Sequence, residues 1–485
     1  MNMISVQNKY AETNVVSHMH LLHFGDFLTR IDIKKCKTVD AIRDTIRREA
    51  KLRPDATRLL CKGWYQDVTD ALASLLDDLD PRPIYIDAHD LHQTWCNTAA
   101  LKELGVYECM KDPAGGEITR DKDGHATGLM SESAAVTIVW PFIAKAASQE
   151  TRFTAIREAL KSYAAAGYTT FADLATEEGS WQTLQDFRAQ VEFPLRFAAY
   201  WIITPRDTDE EMLAQVDKAI EMHAKFNRQN SPDFYISGIK VICDGVIDGC
   251  TAALTEPYSH NGAQIEALWK QSSLLKVVRK ASEAGLQCAL HAIGDKAVKM
   301  AIDVLSSTGT KASRNRIEHL ELTTAEDGRR LGEHGIIASV QPVHSDPAVL
   351  TAWPQLIGAD RCKRIFAYGD FHAHGATLAF GTDSPTAPHL PFPNLYNATT
   401  RRSALEPEVE AKTTEQFKVG IFDAVTAATK GAAYALFADD RVGTIEVGKK
   451  ADLVVVDMQW KPETLLQAVV HETWIDGKRV FRKET

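Results

Sequence analysis

Two histidines one residue apart lie near the start of the sequence, in the stretch AETNVVSHMHLLHFG. In a β-strand His18 and His20 would point to the same face, because side chains two positions apart project to one side. Two imidazoles on one face can bind a single divalent cation. The chain has sixteen histidines and a second such pair, His372 and His374 in FHAHG, which we expect at a helix end or in solvent. The spacing alone is therefore weak evidence for a metal site, and the residues elsewhere in the sequence must decide whether one is present.

Four further residues of types that bind metals or transfer protons lie in apolar stretches that predict strands. They are Lys240 in GIKVICDG, His291 in CALHAIGD, His319 in RIEHLEL and Asp383 in AFGTDSP. Each alone has an ordinary explanation, since a buried histidine is often a core residue and a Thr-Asp pair often begins a helix. Together they are harder to explain by packing, because charged and imidazole groups inside a barrel are costly unless paired or metal-bound.

From about residue 150 onward, short strands that are apolar on both faces alternate with helical segments such as 151–167 and 272–285. This pattern is typical of parallel strands covered by helices. The strand candidates are 15–22, 168–174, 195–202, 235–245, 286–293, 316–322, 335–343 and 376–384. Eight strands predict an α/β fold, the (β/α)8 TIM barrel, with its chemistry at the carboxyl ends of the strands. An open doubly wound sheet is the alternative, but no glycine-rich phosphate loop follows an early strand.

Two segments lie outside a simple barrel, which we assign to residues 15–435. Residues 25–150 are too long for one crossover and contain strand-like pieces, so we expect an inserted subdomain over the barrel mouth. Residues 436–485 alternate and turn like β-hairpins. They predict the remnant of a small, incomplete β-sandwich at the C-terminus.

The composition limits the class of partner. With 45% hydrophobic and 25% charged residues and a net charge of -10, the chain is typical of a globular protein that binds neither nucleic acid nor an anionic membrane. No apolar run of signal-peptide or membrane-spanning length is present, so we expect a cytoplasmic protein with a small-molecule substrate. The eight cysteines are scattered without a CxxC pair, which favours free thiols.

Motifs along nearly the whole chain share one order with a known family. They are SHMHLLHFG, KGWYQD, HQTWCNTAAL, DPAGGEI, DGHATGLMSESA, GIKVICDG, TAALTEPY, LHAIGDKAV, NRIEHLEL, QPVH, FGTDSPTAPHLPF and VGTIEVGKKADLVVVD. In these motifs the sequence resembles the amidohydrolase superfamily, specifically its amidohydrolase-3 branch of YtcJ-like and N-substituted formamide deformylase-like proteins.

The resemblance implies a hydrolase that cleaves a non-peptide carbon–nitrogen bond of a small amide, formamide or cyclic amide through a metal-activated hydroxide. One or two divalent ions, zinc by expectation, would be bound in the barrel mouth. The implied ligands are His18, His20, Lys240, His291, His319 and Asp383. Lys240 would be carbamylated and would bridge two ions, whereas an unmodified Lys240 would leave a one-metal site.

The resemblance also assigns catalytic and substrate roles. Asp383 would accept the proton of the attacking hydroxide and deliver it to the leaving nitrogen. His344, in QPVH, would donate to the developing oxyanion. The candidates for substrate binding in the insertion are Trp64, Asp90, His92 and Trp95. Packing inside the inserted subdomain is the alternative role for these four residues.

The sequence departs from the family at its start. Family members open with several sandwich strands and Asp-x-His-x-His, whereas this chain has ETNVV there, with Val16 in place of the aspartate. We therefore expect the C-terminal strands to lack their amino-terminal partners. Either the sequence is a shortened gene model, or the chain compensates for the exposed strands by other packing or by homo-oligomerisation. One alternative function is a descendant that is catalytically disabled by the loss of these strands. Another is a metal-dependent decarboxylase or isomerase that uses the same site.

Overall fold

The computed structural model describes the chain except residues 1–3, 7–8, 13, 66–67, 90–92, 109, 114–115, 133 and 485. It forms two compact units, one of Met1–Leu21 with Ala159–Thr485 and one of Leu22–Glu158. The insertion predicted at about 25–150 lies within the second unit. None of the helices in the described ranges has both the length and the apolarity needed to cross a membrane.

The helices and strands are numbered here in chain order. The strands are β1 Ile4–Val6, β2 Lys9–Glu12, β3 Asn14–Met19, β4 Ile31–Asp32, β5 Leu59–Trp64, β6 Ile84–Ala88, β7 Gln93–Cys96, β8 Gly116–Arg120, β9 Ala126–Glu132, β10 Tyr168–Thr176, β11 Arg196–Ile203, β12 Phe234–Ile242, β13 Gln287–Ala292, β14 Arg316–His319, β15 Ile337–Val340, β16 Leu378–Phe380, β17 Leu453–Asp457, β18 Val469–Ile475 and β19 Lys478–Arg482. The helices are α1 Leu21–Thr29, α2 Val39–Leu52, α3 Thr98–Glu103, α4 Trp140–Ala146, α5 Gln149–Ala165, α6 Glu178–Gln190, α7 Asp209–Lys225, α8 Gln271–Glu283, α9 Asp295–Thr308, α10 Ala325–His334, α11 Trp353–Leu356, α12 Ala359–Cys362, α13 Tyr368–Ala373, α14 Pro391–Thr400, α15 Ile421–Thr426 and α16 Ala432–Ala435.

The first unit contains the predicted barrel. Strands β3 and β10 to β16 form one sheet in the order β3-β10-β11-β12-β13-β14-β15-β16, and all neighbours are parallel. Backbone hydrogen bonds close it, because the N–H groups of Thr382 and Asp383 each donate to the His18 carbonyl at 2.9 Å. Gly381 permits this approach, since a Cβ there would lie 2.5 Å from the His18 Cβ. The TIM-barrel prediction is confirmed.

The barrel helices follow from simple sequence patterns. Helix α8 buries Leu274, Val277, Val278 and Ala281, which recur at the spacing of one helix face. Helix α10 begins at a Thr324 capping box and ends at Gly335, whose φ of 66° suits the residue that follows a helix. The packing face of α8 and the two ends of α10 therefore follow from their sequences.

The second unit has its own sheet and core. Its six strands are ordered β4-β5-β6-β7-β9-β8, and β4, β5 and β6 are parallel whereas the remaining neighbours are antiparallel. Strand β6 is buried along its whole length. Helix α2 packs Ile42, Ile46 and Ala50 into the same hydrophobic cluster as β5 and β6.

A third sheet joins the two ends of the chain. It has the order β1-β2-β17-β18-β19, and β2 pairs antiparallel with β17 from Glu12 opposite Val454 to Lys9 opposite Asp457. The prediction that the C-terminal strands lack amino-terminal partners is therefore wrong. Strands β1 and β2 span only three and four residues. They are recognisable by backbone pairing rather than by an apolar pattern, which is why sequence reasoning missed them.

The β2–β17 pairing leads to a stability prediction. Ala11 lies between Ile4 of β1 and Val455 of β17, so a proline there would remove a backbone donor from the middle of the sheet. We expect Ala11→Pro to lower the thermal midpoint by at least about 2 °C. Calorimetry would measure the shift, with Ala11→Ser as the control that keeps the N–H. Equal midpoints for the two variants would contradict a stabilising role for this pairing.

Candidate functional site

The candidate site is centred on Asp383, which follows β16 at the carboxyl end of the barrel. Its Oδ1 atom lies 3.2 Å from Nε2 of His18 and 3.0 Å from Nε2 of His20. His18 and Asp383 are buried, and His20 is about one-fifth exposed. Burial disfavours the Asp383 anion, but the two imidazoles more than offset it and hold the pKa of Asp383 well below its usual value. The structure thus brings the His-x-His pair to the predicted carboxylate.

The buried ion pair of Arg316 and Glu318 orients the His18 ring from the side opposite Asp383. The Nδ1 atom of His18 lies 2.7 Å from Oε2 of Glu318, so an Nδ1–H would donate to that carboxylate and leave Nε2 facing Asp383. Arg316 donates to Glu318 at 2.5 Å and to the Ser17 carbonyl at 2.7 Å. Burial opposes ionisation of Glu318, but the Arg316 guanidinium and the His18 ring hold its pKa far below the usual range.

His319 reaches the site through an unusual backbone. Arg316 and Glu318 project into the barrel, so regular strand alternation would turn His319 outward. Instead His319 has a φ of 77° and Leu320 a φ of 55°, values that non-glycine residues rarely adopt. The His319 ring centroid lies 5.2 Å from that of His18. One ligand atom each of His18, His319 and Asp383 lies within 4.8 Å of the others, as a shared cation requires.

Lys240 lies on the inner face of β12. Its ammonium nitrogen is buried and, within the described residues, has no hydrogen-bond partner. Burial lowers the pKa of Lys240 to about 8, although the nearby Glu318 and Asp383 carboxylates oppose this shift. The site therefore favours the neutral amine of Lys240 more than water does.

His291 completes the set of predicted ligands at the end of β13. Its ring centroid lies 4.4 Å from that of His319. Burial, reinforced by Lys240, lowers the pKa of His291 to about 3, so the ring stays neutral, the form that binds a metal. Asp244 lies 3.7 Å from Nε2 of His291 and accepts backbone N–H groups of Ala253, Ile293 and Gly294 at 2.8–3.0 Å. This carboxylate ties the β12 loop to the segment that carries His291.

His344 lies on the other side of Asp383. Its Nδ1 atom is 3.3 Å from Oε1 of Glu321, and its Nε2 atom is 3.8 Å from Oδ2 of Asp383. Burial opposes the charged ring, but the hydrogen bond to Glu321 and the field of Asp383 raise the pKa of His344. Because Nδ1 faces the Glu321 carboxylate, Nε2 faces Asp383 at the centre of the site.

The candidates in the insertion are placed differently. Trp64 and Trp95 are buried in the core of the second unit with ring centroids 5.5 Å apart. Asp90 and His92 lie outside the described residues. His372 and His374 lie at the end of α13 and are about half exposed, as predicted for this pair.

Sequence reasoning missed three acidic residues around the ligands: Glu318, Glu321 and Asp244. Glu318 and Glu321 flank His319 in RIEHLEL, and Asp244 follows the strand of Lys240. The available signal was a set of carboxylates adjacent to predicted ligands, because imidazole ligands commonly need a hydrogen-bond acceptor on the second ring nitrogen.

Solved structures with this architecture include an uncharacterized metal-dependent hydrolase from Pyrococcus horikoshii OT3. It is 24% identical, and the match has a TM-score of 0.76 and covers 94% of this chain and 87% of that chain. A similar protein from Pyrococcus furiosus is 23% identical, with a TM-score of 0.75, and covers 93% of this chain and 88% of that one. These likenesses support the fold.

Relatives in sequence span most of the chain. Protein LONG AFTER FAR-RED 3 of Arabidopsis thaliana is 28% identical over 96% of this chain and 81% of its own length. The YtcJ protein of Bacillus subtilis (strain 168) is 26% identical over 97% and 88%. The N-substituted formamide deformylase of Arthrobacter pascens is 23% identical over 83% and 74%. The sequence profile of the Amidohydrolase family matches residues 15–481. The chain therefore belongs to the amidohydrolase family and is a hydrolase, as its motifs predict.

Proposed function

We propose that the protein is a metal-dependent hydrolase of a non-peptide carbon–nitrogen bond in a small amide, formamide or cyclic amide. The observation that carries this proposal is the convergence of His18, His20 and Asp383 at the carboxyl end of the barrel. The family relationship and the name of the N-substituted formamide deformylase relative favour a carbon–nitrogen bond.

The spacing of these side chains suits a metal ion. Ligand atoms that share a tetrahedral ion at bonds of about 2.0–2.2 Å lie roughly 3.3–3.6 Å apart. The 3.2 Å and 3.0 Å separations of Asp383 Oδ1 from His18 and His20 are close to this range. Within the described chain, His319 Nδ1 and Lys240 Nζ are buried without a hydrogen-bond partner. A cation at this point would bind the lone pair of His319 Nδ1, and zinc suits the imidazole-rich donor set.

Lys240 would act as a carbamate. The neutral amine nitrogen attacks carbon dioxide, an N–C bond forms, and the nitrogen loses a proton to solvent. The lowered pKa of Lys240 supplies that neutral amine. The product would be an anion whose two oxygens, together with His291 and His319, would hold a divalent ion.

The other side chains then have definite tasks. A bound divalent ion lowers the pKa of water and polarises the substrate carbonyl. Asp383 accepts the proton of the attacking water and delivers it to the leaving nitrogen. His344 Nε2 donates to the oxygen that becomes negatively charged, and Glu321 holds the His344 ring in place. For Trp64, Asp90, His92 and Trp95, we retain substrate binding as a proposal that rests on motif resemblance alone.

Metal content and hydrolysis test the proposal together. Protein produced with added zinc should contain one or two equivalents. It should hydrolyse some member of a panel of amides, formamides and cyclic ureides, measured as released amine or ammonia or, for a cyclic ureide, as ring opening to the ureido acid. Near-zero metal would favour the disabled descendant. Bound metal without any hydrolysis would favour the decarboxylase or isomerase alternative.

Substitution of Lys240 tests the bridging carbamate. We expect Lys240→Ala to lower the zinc content by about one equivalent, because the anion that would hold the second ion is lost. Short carboxylic acids added to this variant should partly restore turnover by supplying a bridging carboxylate. Lys240→Arg is the matched control, since a guanidinium keeps the charge and cannot form the carbamate. Unchanged zinc content and unchanged turnover in Lys240→Ala would show that Lys240 contributes neither to metal binding nor to catalysis.

A further inference from the structure

Apolar side chains gather around the end of β12, next to the candidate metal ligands. Ile242, Val246 and Leu268 are among the exposed large hydrophobic residues of the described chain, at 38%, 39% and 57% exposure. Ile202, on the neighbouring strand β11, is half-buried. We name these four residues the apolar rim.

Strand register places Ile202 and Ile242 on the inner face of the barrel. Lys240 points inward, so Ile242, two residues later, shares its face. Ile242 is the register partner of His291, and Ile202 is the register partner of Lys240. Side chains on one rung of a parallel sheet project to the same side. Ile202 and Ile242 therefore lie beside two of the proposed ligands, at the open end of the barrel.

The loop residues of the rim lie beside the same ligands. Val246 follows Gly245, whose carbonyl oxygen lies 3.4 Å from Nε2 of His291. The N–H of Leu268 donates to the Cys243 carbonyl at 2.8 Å, which fixes Leu268 alongside the end of β12. All four rim residues therefore belong to the β11–β12 side of the barrel and lie near the ends of the strands that carry Lys240 and His291.

Leaving these side chains in water is unfavourable, and exposed apolar groups beside a polar centre commonly bind the apolar part of a ligand. We propose that the rim contacts the substituent of the substrate, so the substrate is an amide that carries an uncharged hydrocarbon chain or aromatic ring next to the bond that is cleaved. This inference rests on the proposed function, because the metal centre fixes where the carbonyl group lies. It adds the substrate class, which the metal ligands leave open.

Hydroxamates test the rim without requiring turnover, because the hydroxamate group binds zinc and the attached group reports on its surroundings. Calorimetry on the zinc-loaded protein would compare acetohydroxamate, benzohydroxamate and 4-carboxybenzohydroxamate. We expect benzohydroxamate to bind at least about tenfold more tightly than acetohydroxamate, because its aromatic ring is removed from water and packs against the rim. The carboxylate of the third compound should cancel that gain.

Variants assign the gain to the rim. Ile242→Ala and Leu268→Ala should each weaken benzohydroxamate binding about fivefold, because each removes apolar contact area. Acetohydroxamate binding and the thermal midpoint should not change. Val447→Ala is the matched control, because Val447 is fully exposed and precedes β17 of another sheet. Hydroxamate preference that is the same in the parent and both rim variants would overturn the proposal.

Two further outcomes separate this proposal from the proposed function. If neither probe binds the zinc-treated protein, the proposed metal centre is wrong, and the role of the rim in substrate binding is rejected as well. If the probes bind with the expected preference but no amide is hydrolysed, the hydrolytic function fails and the apolar-ligand assignment stands.

Discussion

Replacing Asp383 with asparagine is expected to lower kcat by at least about 10²–10⁴-fold, because an amide cannot accept the proton of the attacking water. Asparagine keeps the shape of the side chain and one oxygen near His18 and His20, so the protein should fold. We expect it to retain the ion bound by these histidines. Turnover on any amide that the parent hydrolyses, measured with zinc content and thermal midpoint on the same samples, would check this result.

The comparison needs a control that changes the same region without removing a reacting group. Thr386→Ala is suitable, because the Thr386 hydroxyl donates to the Asp383 backbone carbonyl at 2.6 Å and not to its carboxylate. That variant should keep most of the parent activity. If Asp383→Asn were as fast as Thr386→Ala, Asp383 could not transfer the proton and the hydrolytic mechanism would fail.

The second large effect concerns stability. Arg316 is fully buried and pairs with the fully buried Glu318. Arg316→Met would leave the Glu318 carboxylate without its main counter-charge, and breaking such a pair from one side typically costs about 3–5 kcal/mol of unfolding free energy. We expect a large fall in the thermal midpoint, together with loss of zinc because the His18 ring loses its orientation.

An exposed arginine provides the reference for this substitution. Arg329 pairs with Glu326 and Glu333 on the surface of α10, and Arg329→Met should leave the midpoint almost unchanged. The double variant Arg316→Met with Glu318→Leu should recover much of the loss, because it removes the uncompensated charge. A parent-like midpoint for Arg316→Met alone would show that the buried pair contributes little.

The barrel could be predicted because each strand carries a local signal. All eight predicted strands are present as β3 and β10 to β16, since strands buried on both faces are apolar throughout and turn residues bound them. The predicted strand 316–322 is longer than the observed Arg316–His319. The strand ends early because the backbone enters the left-handed region at His319 and Leu320. A periodic pattern contains no information on such a change.

The site could be predicted in part for a similar reason. His18 and His20 share a strand face by spacing, and Asp383 follows a strand end, so their meeting follows from barrel topology. Glu318 could not be recognised in the same way. Consecutive residues of a regular strand point to opposite faces, so a strand that turns His319 into the barrel would turn Glu318 outward. Glu318 points inward by regular alternation, and His319 joins it only through its unusual dihedral angles. The pairing of β2 with β17 was missed because it depends on contact between distant segments rather than on local composition.

The sheet that pairs β2 with β17 also determines when folding can be completed during synthesis. At about 5–20 residues per second, the ribosome reaches β17 roughly 20–90 s after it has made β2. Strand β3, with His18, must likewise wait for β10 and β16 before it has neighbours on both sides. By contrast, the unit Leu22–Glu158 is continuous in sequence and can fold early. Strands β1 and β2 therefore have only each other as partners until β17 has been made, and the proposed metal ligands can meet only after almost all of the barrel has emerged.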